Sequence, residues 1–246
     1  MCSFGEIPFL RFLWHRPGEV SVIIVPFHAN PPIPLFKCQS IISFLSDINL
    51  SQLVLNGNSL SWPTVSGLLE TFPGLEELRL SDTGLADPQG EISHPRLEEL
   101  FLALNNISDF SSVLTSVLLH CPRLEVVSLS ECPISHLCPG PAQPIALRKL
   151  NLSDTAVAAW EEVERIRTFS SITDLRMMDC PFNRDLEEVE KRQQLIARLP
   201  NIQTLNGGDK ISEGEREEAE RNFIRHFLDQ PPHTRPTRWG HSVITS

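Results

Sequence analysis

One pattern of apolar residues occurs six times at regular intervals, and this repetition constrains the fold more than any other feature of the sequence. The pattern reads L-x-x-L-x-L-x-x-N-x-L, and two adjacent copies cover residues 75–85 and 97–107. The six copies begin near residues 50, 75, 97, 124, 147 and 172, so they lie 22 to 27 residues apart. Their ninth position holds Asn, Thr or Cys.

This pattern and its period are the signature of a leucine-rich repeat. The alternating leucines predict a short strand, and the polar ninth residue predicts a turn at which a side chain bonds to the backbone. A single unit cannot bury its own apolar face, so several units must stack. We therefore predict an α/β leucine-rich-repeat solenoid that follows a right-handed superhelix. A parallel sheet would line its concave face, helices and loops its convex face, and a helical cap its C-terminal end.

The repeat frame divides the chain into four predicted segments. Residues 1–40 do not fit the repeat and are predicted to be an irregular N-terminal segment, with a possible strand at 20–25. The repeat array covers residues 41–206, and a C-terminal cap helix covers residues 207–230. Within that helix Ala219, Phe223 and Phe227 recur every fourth residue, which predicts a face that seals the last repeat. Residues 231–246 are predicted to be a flexible tail.

Between the strands, three segments have apolar residues at a spacing of three to four. They begin at Trp62, Phe110 and Trp160 and predict helices on the convex side. Two other connections, 86–95 and 135–144, are poor in helix-forming residues and are predicted to be irregular.

The charge distribution favours a protein partner. The net charge is −10, and residues 51–182 carry 17 acidic against 8 basic side chains. An acidic surface repels phosphate groups, so we expect no nucleic-acid binding and a partner with a basic patch. We expect no membrane association, because no run of about 18 apolar residues occurs. The N-terminus lacks the order of a secretory signal.

The six cysteines predict neither a metal site nor disulfides. Cys132 and Cys180 take the ninth position of their repeats, and Cys121 aligns with Phe72 in an apolar position. The paired C-x-x-C motifs that are typical of a zinc site do not occur in the sequence. We therefore expect no metal, no cofactor and reduced cysteines, as in an intracellular protein. We also expect no enzymatic activity, because no nucleophile–base pair or phosphate-binding glycine loop is recognisable.

The candidate binding surface is the concave face. Side chains between the strand leucines point away from the core. Phe101, expected to be exposed between acidic neighbours, is the predicted apolar anchor of an interface. The partner-binding candidates are Glu77, Arg79, Asp82, Glu99, Phe101, Ser128, Asn151 and Arg176.

Several stretches together resemble one known family. They are Ser61–Val65, Trp160-Glu161, the segment 195–200, Leu205–Gly207 and the charged run 214–225. In this order they are similar to the repeats and cap of the tubulin-specific chaperone cofactor E family, and most of all to its E-like branch. The likeness covers residues 50–240. It implies a cytoplasmic, cytoskeleton-associated protein that binds α/β-tubulin as a monomer and influences the folding, stability or turnover of tubulin.

The chain departs from the family pattern at both ends. It has no glycine-rich cytoskeleton-associated module at its start, and its first 40 residues do not match the upstream repeats. It stops where family members continue into a ubiquitin-like domain, so we expect a truncated form. The alternative is a leucine-rich-repeat scaffold or regulatory subunit that docks a signalling enzyme, such as a phosphatase, on the same face.

Overall fold

In this computed structural model of the protein, the described residues are 10–16, 19–24 and 50–228. The predicted tail at 231–246 and the start of the array at 41–49 lie outside these residues.

The described strands form one nine-stranded sheet, and they follow each other in chain order. From β2 to β9 every neighbouring pair is parallel, whereas β1 is antiparallel to β2. The parallel sheet predicted from the repeats is therefore present. The strands are β1 (Leu10–Arg16), β2 (Glu19–Ile24), β3 (Leu50–Val54), β4 (Glu77–Arg79), β5 (Glu99–Phe101), β6 (Val126–Ser128), β7 (Lys149–Asn151), β8 (Asp174–Arg176) and β9 (Thr204–Leu205).

The structure corrects the prediction for residues 1–40 in one respect. These residues were predicted to be irregular, but 10–16 and 19–24 form a hairpin, and β2 pairs with the first strand of the array. The sequence indicated only a possible strand at 20–25. The hairpin escaped prediction because β1 follows no repeat pattern, so only its pairing with β2 identifies it.

The core follows from the register of the strands. The middle leucine of each repeat pairs with the middle apolar residue of the next, as in Leu78 with Leu100 and Leu100 with Val127. All the members of this row are at most 2% exposed: Leu53, Leu78, Leu100, Val127, Leu150, Leu175 and Leu205. Because successive strand residues point to opposite faces, their neighbours face away from the core.

The ninth residue of the repeat bonds to the backbone, as predicted. Asn105 Nδ2 donates to the carbonyl oxygens of Leu80 and Leu102 at 2.8 and 2.9 Å. The thiol of Cys132 donates to the Leu102 carbonyl at 3.3 Å, and that of Cys180 to the Leu152 carbonyl at 3.2 Å. The side chains at this position therefore satisfy carbonyl groups that would otherwise be buried without a partner.

The eighth residue of each repeat adopts a left-handed backbone conformation. Its backbone N–H donates to the next repeat in most copies, as from Asp82 to the Ala103 carbonyl at 2.9 Å. The φ angles lie between 55° and 71°, a region that is costly for residues other than glycine. This left-handed ladder consists of Gly57, Asp82, Leu104, Glu131, Asp154 and Asp179.

The three predicted convex helices are present. Helix α1 (Trp62–Thr71) is regular, α2 (Phe110–Val113) continues as a π-helical turn (Leu114–Leu118), and α3 (Trp160–Arg165) continues as a 3₁₀ turn (Ile166–Thr168). The connections 86–95 and 135–144 contain neither helix nor strand, as predicted.

The connection 135–144 is tied to α3 by the buried side chain of Glu162. Its Oε2 accepts from the Leu137 N–H at 2.7 Å, while Arg165 Nη1 donates to the Leu137 carbonyl at 2.6 Å. No repeat or helix pattern in the sequence indicates this role of Glu162. The hydrogen bond between Leu137 and Glu162 joins residues 25 positions apart.

Two helices follow the last repeat copy, α4 (Glu188–Arg198) and α5 (Glu213–Leu228). Helix α4 was not predicted, because the apolar residues that it buries are confined to its C-terminal part. Helix α5 begins after Ser212, whose Oγ accepts from the Glu215 N–H at 3.2 Å, as expected of an N-cap. Ala219 and Phe223 are buried and Phe227 is half-buried.

Arg198 joins these helices to the array. Its guanidinium carbon lies 4.4 Å from the ring centroid of Trp160 and 4.6 Å from that of Phe223, and Nη1 bonds to Glu164 Oε1 at 2.9 Å. Burial lowers the pKa of Arg198, while the charge of Glu164 acts in the opposite direction. One cation thus bridges α3, α4 and α5 from within the interior.

None of the described helices has the length and apolar character needed to cross a membrane.

Candidate functional site

The strand register brings the predicted binding residues together on one face of the sheet, the face predicted to be concave and called the concave face below. Arg79, Phe101, Ser128, Asn151 and Arg176 are aligned in one row across β4 to β8. Glu77 and Glu99 belong to a second row, which Val126, Lys149 and Asp174 continue. Seven of the eight candidates therefore lie on one surface. The pairings place these seven residues in two adjacent rows, whereas binding at this face stays a prediction.

Asp82 does not belong to either row. It follows the end of β4 in the turn, at a φ of 57°, and its side chain is exposed. Its place in the structure is on the left-handed ladder, beyond the strands of the concave face.

Phe101 differs from the prediction of a freely exposed ring. It is half-buried, and the guanidinium carbon of Arg79 lies 4.4 Å from its ring centroid. Arg79 is also ion-paired with Glu77. A partner that contacts Phe101 therefore meets a ring whose position is already fixed by a neighbouring cation, which lowers the conformational entropy lost on binding.

The two acidic residues beside this ring are held close to each other. Glu77 and Glu99 are direct neighbours in the parallel register of β4 and β5. Burial raises the pKa of Glu99 and the charge of Glu77 raises it further, while Arg79 and Lys149 act in the opposite direction. Like charges at neighbouring strand positions are destabilising. A basic group placed over Glu99 would relieve this repulsion.

Ser128 and Asn151 form the floor of the face. Ser128 was expected to face solvent but is only 8% exposed. Asn151 Nδ2 donates to Ser128 Oγ at 3.2 Å, and Asn151 Oδ1 accepts from the Ser153 N–H at 3.0 Å. These two residues are thus bonded to the protein and give the face a fixed polar floor.

The C-terminal half of the face contains a depression of about 320 Å³. Phe101 and Val126 line one part of it, and Lys149, Arg176 and Gly207 line another. Lys149 and Gly207 were not among the predicted site residues. The alternation within β7 could have identified Lys149, whereas Gly207 follows β9 and has no counterpart in the repeat pattern.

The described cysteines are unsuited to nucleophilic chemistry. Burial raises the pKa of Cys121 to about 11, and it raises the pKa of Cys132, Cys138 and Cys180 above the ordinary thiol value. The reactive form of cysteine is the thiolate, so these thiols are protonated at neutral pH. Within 10–16, 19–24 and 50–228, no three side chains of His, Cys, Asp or Glu form a group that could hold a metal ion.

Comparison with known proteins gives a consistent set of relatives, although no family model matches the chain. The human tubulin-specific chaperone cofactor E-like protein is 30% identical over 205 residues, which are 79% of this chain and 46% of the relative. The Arabidopsis thaliana tubulin-folding cofactor E is 29% identical over 216 residues, which are 79% of this chain and 40% of the relative. Human tubulin-specific chaperone E is 28% identical over 190 residues, 72% of this chain and 35% of the relative. The chain spans less than half the length of these three relatives.

Two solved structures are also similar. A chain of the Drosophila melanogaster SNF/U2A' complex aligns with a TM-score of 0.37 and 19% identity, over 65% of this chain and 72% of that one. An internalin from Listeria monocytogenes aligns with a TM-score of 0.36 and 15% identity, over 68% of this chain and 50% of that one.

Proposed function

Because the chain belongs to the tubulin-specific chaperone cofactor E family, we propose that it is a non-catalytic protein-interaction module that binds α/β-tubulin through its concave face. In this proposal, binding influences the folding, stability or turnover of tubulin. The protein acts in the cytoplasm, in association with the cytoskeleton, and as a monomer. Its partner is a protein rather than nucleic acid or membrane.

The observation that carries this proposal is the arrangement of Glu77, Glu99 and Phe101 on adjacent strands. Phe101 is a half-buried ring, and the two carboxylates beside it repel each other in the free protein. An apolar group of the partner would cover the ring, and a basic group would lower the repulsion. Aromatic anchors of this kind contribute much of the energy of many protein interfaces.

The non-catalytic part of the proposal is supported by the state of the reactive residue types. The four described cysteines have raised pKa values. Among the histidines, His94 is 1% exposed and its Nε2 lies 3.1 Å from the Phe72 carbonyl. These groups serve the core rather than a site open to a substrate.

The proposal also assigns roles to the ends and the path of the array. The strands follow a right-handed superhelix, whose curvature makes the sheet face concave. Helix α5 seals the last repeat, since Ala219 and Phe223 are buried against the residues that precede it.

Binding of α/β-tubulin to the immobilised protein tests the proposal directly. We expect wild type to bind and Phe101→Ala to weaken binding by about 2 kcal/mol, mostly through the dissociation rate. Val189→Ala is the matched control, because it also shortens an apolar side chain but on α4, where Val189 is 71% exposed. This control should bind tubulin as wild type does.

Two results would count against the proposal. Failure of the wild-type protein to bind tubulin would exclude the function, and equal affinity of Phe101→Ala and wild type would exclude the concave face. Affinity purification from cells provides a second measurement. Recovery of a phosphatase without tubulin would support the scaffold alternative.

A further inference from the structure

Charge is separated along the concave face. At the end formed by β4 and β5, Glu99 has no ion pair among the described residues, while Glu77 is paired with Arg79. At the end formed by β7 and β8, Lys149 and Arg176 have no ion pair within the same part of the chain. Both basic side chains are exposed. One end of the face is thus acidic and the other basic.

An apolar strip separates these ends. Phe101 and Val126 lie on adjacent strands, both are half-buried, and both line the depression. Asp174 is the one acidic residue that lines the described part of this depression, and its Oδ2 accepts from Thr173 Oγ1 at 2.7 Å. Neither Lys149 nor Arg176 forms an ion pair with this carboxylate among the described residues, so the amine and the guanidinium remain open to a ligand.

Arg176 is positioned by the backbone of the turn after β9. Gly207 has a φ of 72°, and a Cβ added there would lie 3.0 Å from Arg176 Nη2. Because glycine has no side chain, the guanidinium can rest against this turn at the rim of the depression. A larger residue would be strained at this φ and would also displace Arg176.

We propose that the concave face binds an extended, mixed-charge segment of its partner in one defined placement. A carboxylate of the segment lies between Lys149 and Arg176, an apolar side chain covers Phe101 and Val126, and a basic side chain lies at Glu99. This inference rests on the proposed function, because it specifies the chemistry of the segment that the same face recognises.

The dimensions of the sheet determine how far apart the acidic and basic residues of the bound segment must be. Glu99 and Lys149 are two strands apart, on β5 and β7, so they are separated by about 10 Å. An extended chain advances about 3.3 Å per residue and only alternate side chains share a face, so the acidic, apolar and basic residues of the ligand occupy positions i, i+2 and i+4. The outer two lie about 13 Å apart along the backbone, and their flexible side chains can shorten this separation to about 10 Å.

Zero-length cross-linking with a carbodiimide tests the placement on tubulin itself. This reagent joins a carboxylate to an amine, so we expect Lys149 to couple to a tubulin carboxylate and Glu99 to a tubulin lysine. The two tubulin residues, identified by mass spectrometry, should lie in one patch about 10 Å across. Coupling at sites far apart on tubulin, or coupling of neither residue in a complex that forms, would overturn the placement.

Charge removal provides a second test. The double variant Lys149→Gln/Arg176→Gln should bind tubulin at least tenfold more weakly, with a smaller dependence on salt. Arg184→Gln is the matched control, because it removes one exposed positive charge outside the concave face, and it should bind as wild type does. Unchanged affinity of the double variant, in a protein that binds tubulin, would overturn the inference and leave the proposed function intact.

The positioning role of Gly207 has its own measurement. Gly207→Ala should weaken binding in the wild-type background. Gly207→Ala should have no further effect in the Arg176→Gln background, because the guanidinium that an alanine at 207 would displace is then absent. Equal effects in both backgrounds would show that Gly207 acts independently of Arg176 and would remove it from the inference.

Synthetic peptides keep the inference testable even if tubulin does not bind. The probe is a peptide with one Glu and one Lys four positions apart and an apolar residue midway between them, so that all three side chains share one face of the extended peptide. The controls replace the Lys by Glu or the Glu by Lys. In a nuclear magnetic resonance titration the mixed-charge peptide should shift the backbone amides of Glu99 and Lys149 at the lowest concentration. Equal binding of a control peptide, or preferential binding of single-stranded RNA at Lys149 and Arg176, would overturn the inference.

Discussion

Leu100 and Leu104 are the same residue type four positions apart, and the fold places them in opposite environments. Leu100 is 2% exposed in the centre of the sheet, whereas Leu104 is 50% exposed on the left-handed ladder. The sequence predicted the burial of Leu100, because it is a repeat leucine. It gave no indication that a further leucine would occupy a left-handed position, because the repeat pattern leaves the eighth residue free.

This pair gives a prediction for stability. Leu100→Ala should lower the free energy of unfolding by about 2–5 kcal/mol, through lost burial and the cavity that remains. Leu104→Ala should change it by no more than about 0.5 kcal/mol, because an exposed side chain makes few contacts. Urea unfolding of both variants would measure this. Similar losses for the two would contradict the assignment of the core.

The burial of His94 gives a prediction for how the stability of the protein depends on pH. Its Nε2 lies 3.1 Å from the Phe72 carbonyl and its Nδ1 accepts from the Arg96 N–H at 3.3 Å, so the folded protein holds the neutral ring. Burial lowers the pKa of His94 from its ordinary value of 6.5 and outweighs the hydrogen bond to the Phe72 carbonyl, which acts in the opposite direction; the charge of Arg96 lowers the pKa further. The unfolded chain therefore binds a proton first as the pH falls. Stability is highest above about pH 6.5 and decreases as the pH falls towards the folded pKa.

The measurement is the melting temperature of wild type and of His94→Gln between pH 7.5 and 5.5. The melting temperature of the wild type should decrease more over this pH interval than that of the variant. The other histidines titrate in both proteins and do not contribute to the difference. Parallel pH profiles would show that the burial of His94 has no effect on its protonation.

At the scale of elements, Arg198 shows why the C-terminal end was only partly predictable. The sequence identified α5 from its apolar spacing, but not α4, whose Arg198 is 6% exposed. A charged residue at the end of a helix normally indicates a solvated position. Here three aromatic rings and Glu164 surround it, and these lie up to 38 residues away from Arg198 in sequence, a proximity that no local pattern encodes.

The prediction at this scale compares a broken ion pair with a replaced one. Arg198→Ala should lower the free energy of unfolding by about 3–5 kcal/mol, since it leaves Glu164 without its partner and opens a gap between Trp160 and Phe223. Arg198→Met combined with Glu164→Gln should be considerably more stable than the alanine variant, because it fills the space and removes the remaining charge. If the two proteins unfold at the same denaturant concentration, packing and charge at Arg198 are unimportant.

At the scale of the whole molecule, the sequence predicted the array because each repeat contacts only its neighbours. The positions of the strands and their register follow from one pattern, and so does the alignment of seven of the eight candidate residues. The elements that the sequence did not predict lie where the repeat pattern ends. These are the hairpin of β1 and β2, helix α4, and the turn that places Gly207 against Arg176.

The same modularity predicts the effect of deleting one unit. Removal of residues 75–96 deletes one 22-residue period and joins Gly74 to Leu97, so Leu97 takes the position of Leu75. We expect a folded protein that unfolds cooperatively, with a lower stability and a smaller m-value. The control deletion, residues 75–85, removes half a period and should not fold. Circular dichroism and urea unfolding would distinguish the two, and equal behaviour would contradict a stack of interchangeable units.

The left-handed ladder also has a consequence for engineering a more heat-resistant form. Five of its six positions hold residues other than glycine, each at a strain of about 1 kcal/mol or more, and none of them lies on the strands of the concave face. Gly at Asp82 and Glu131 would release this strain without a change to the core. The two positions are two repeats apart, or about 10 Å, so their gains in melting temperature should add. The molecule therefore holds a series of independent thermostabilising sites along one edge.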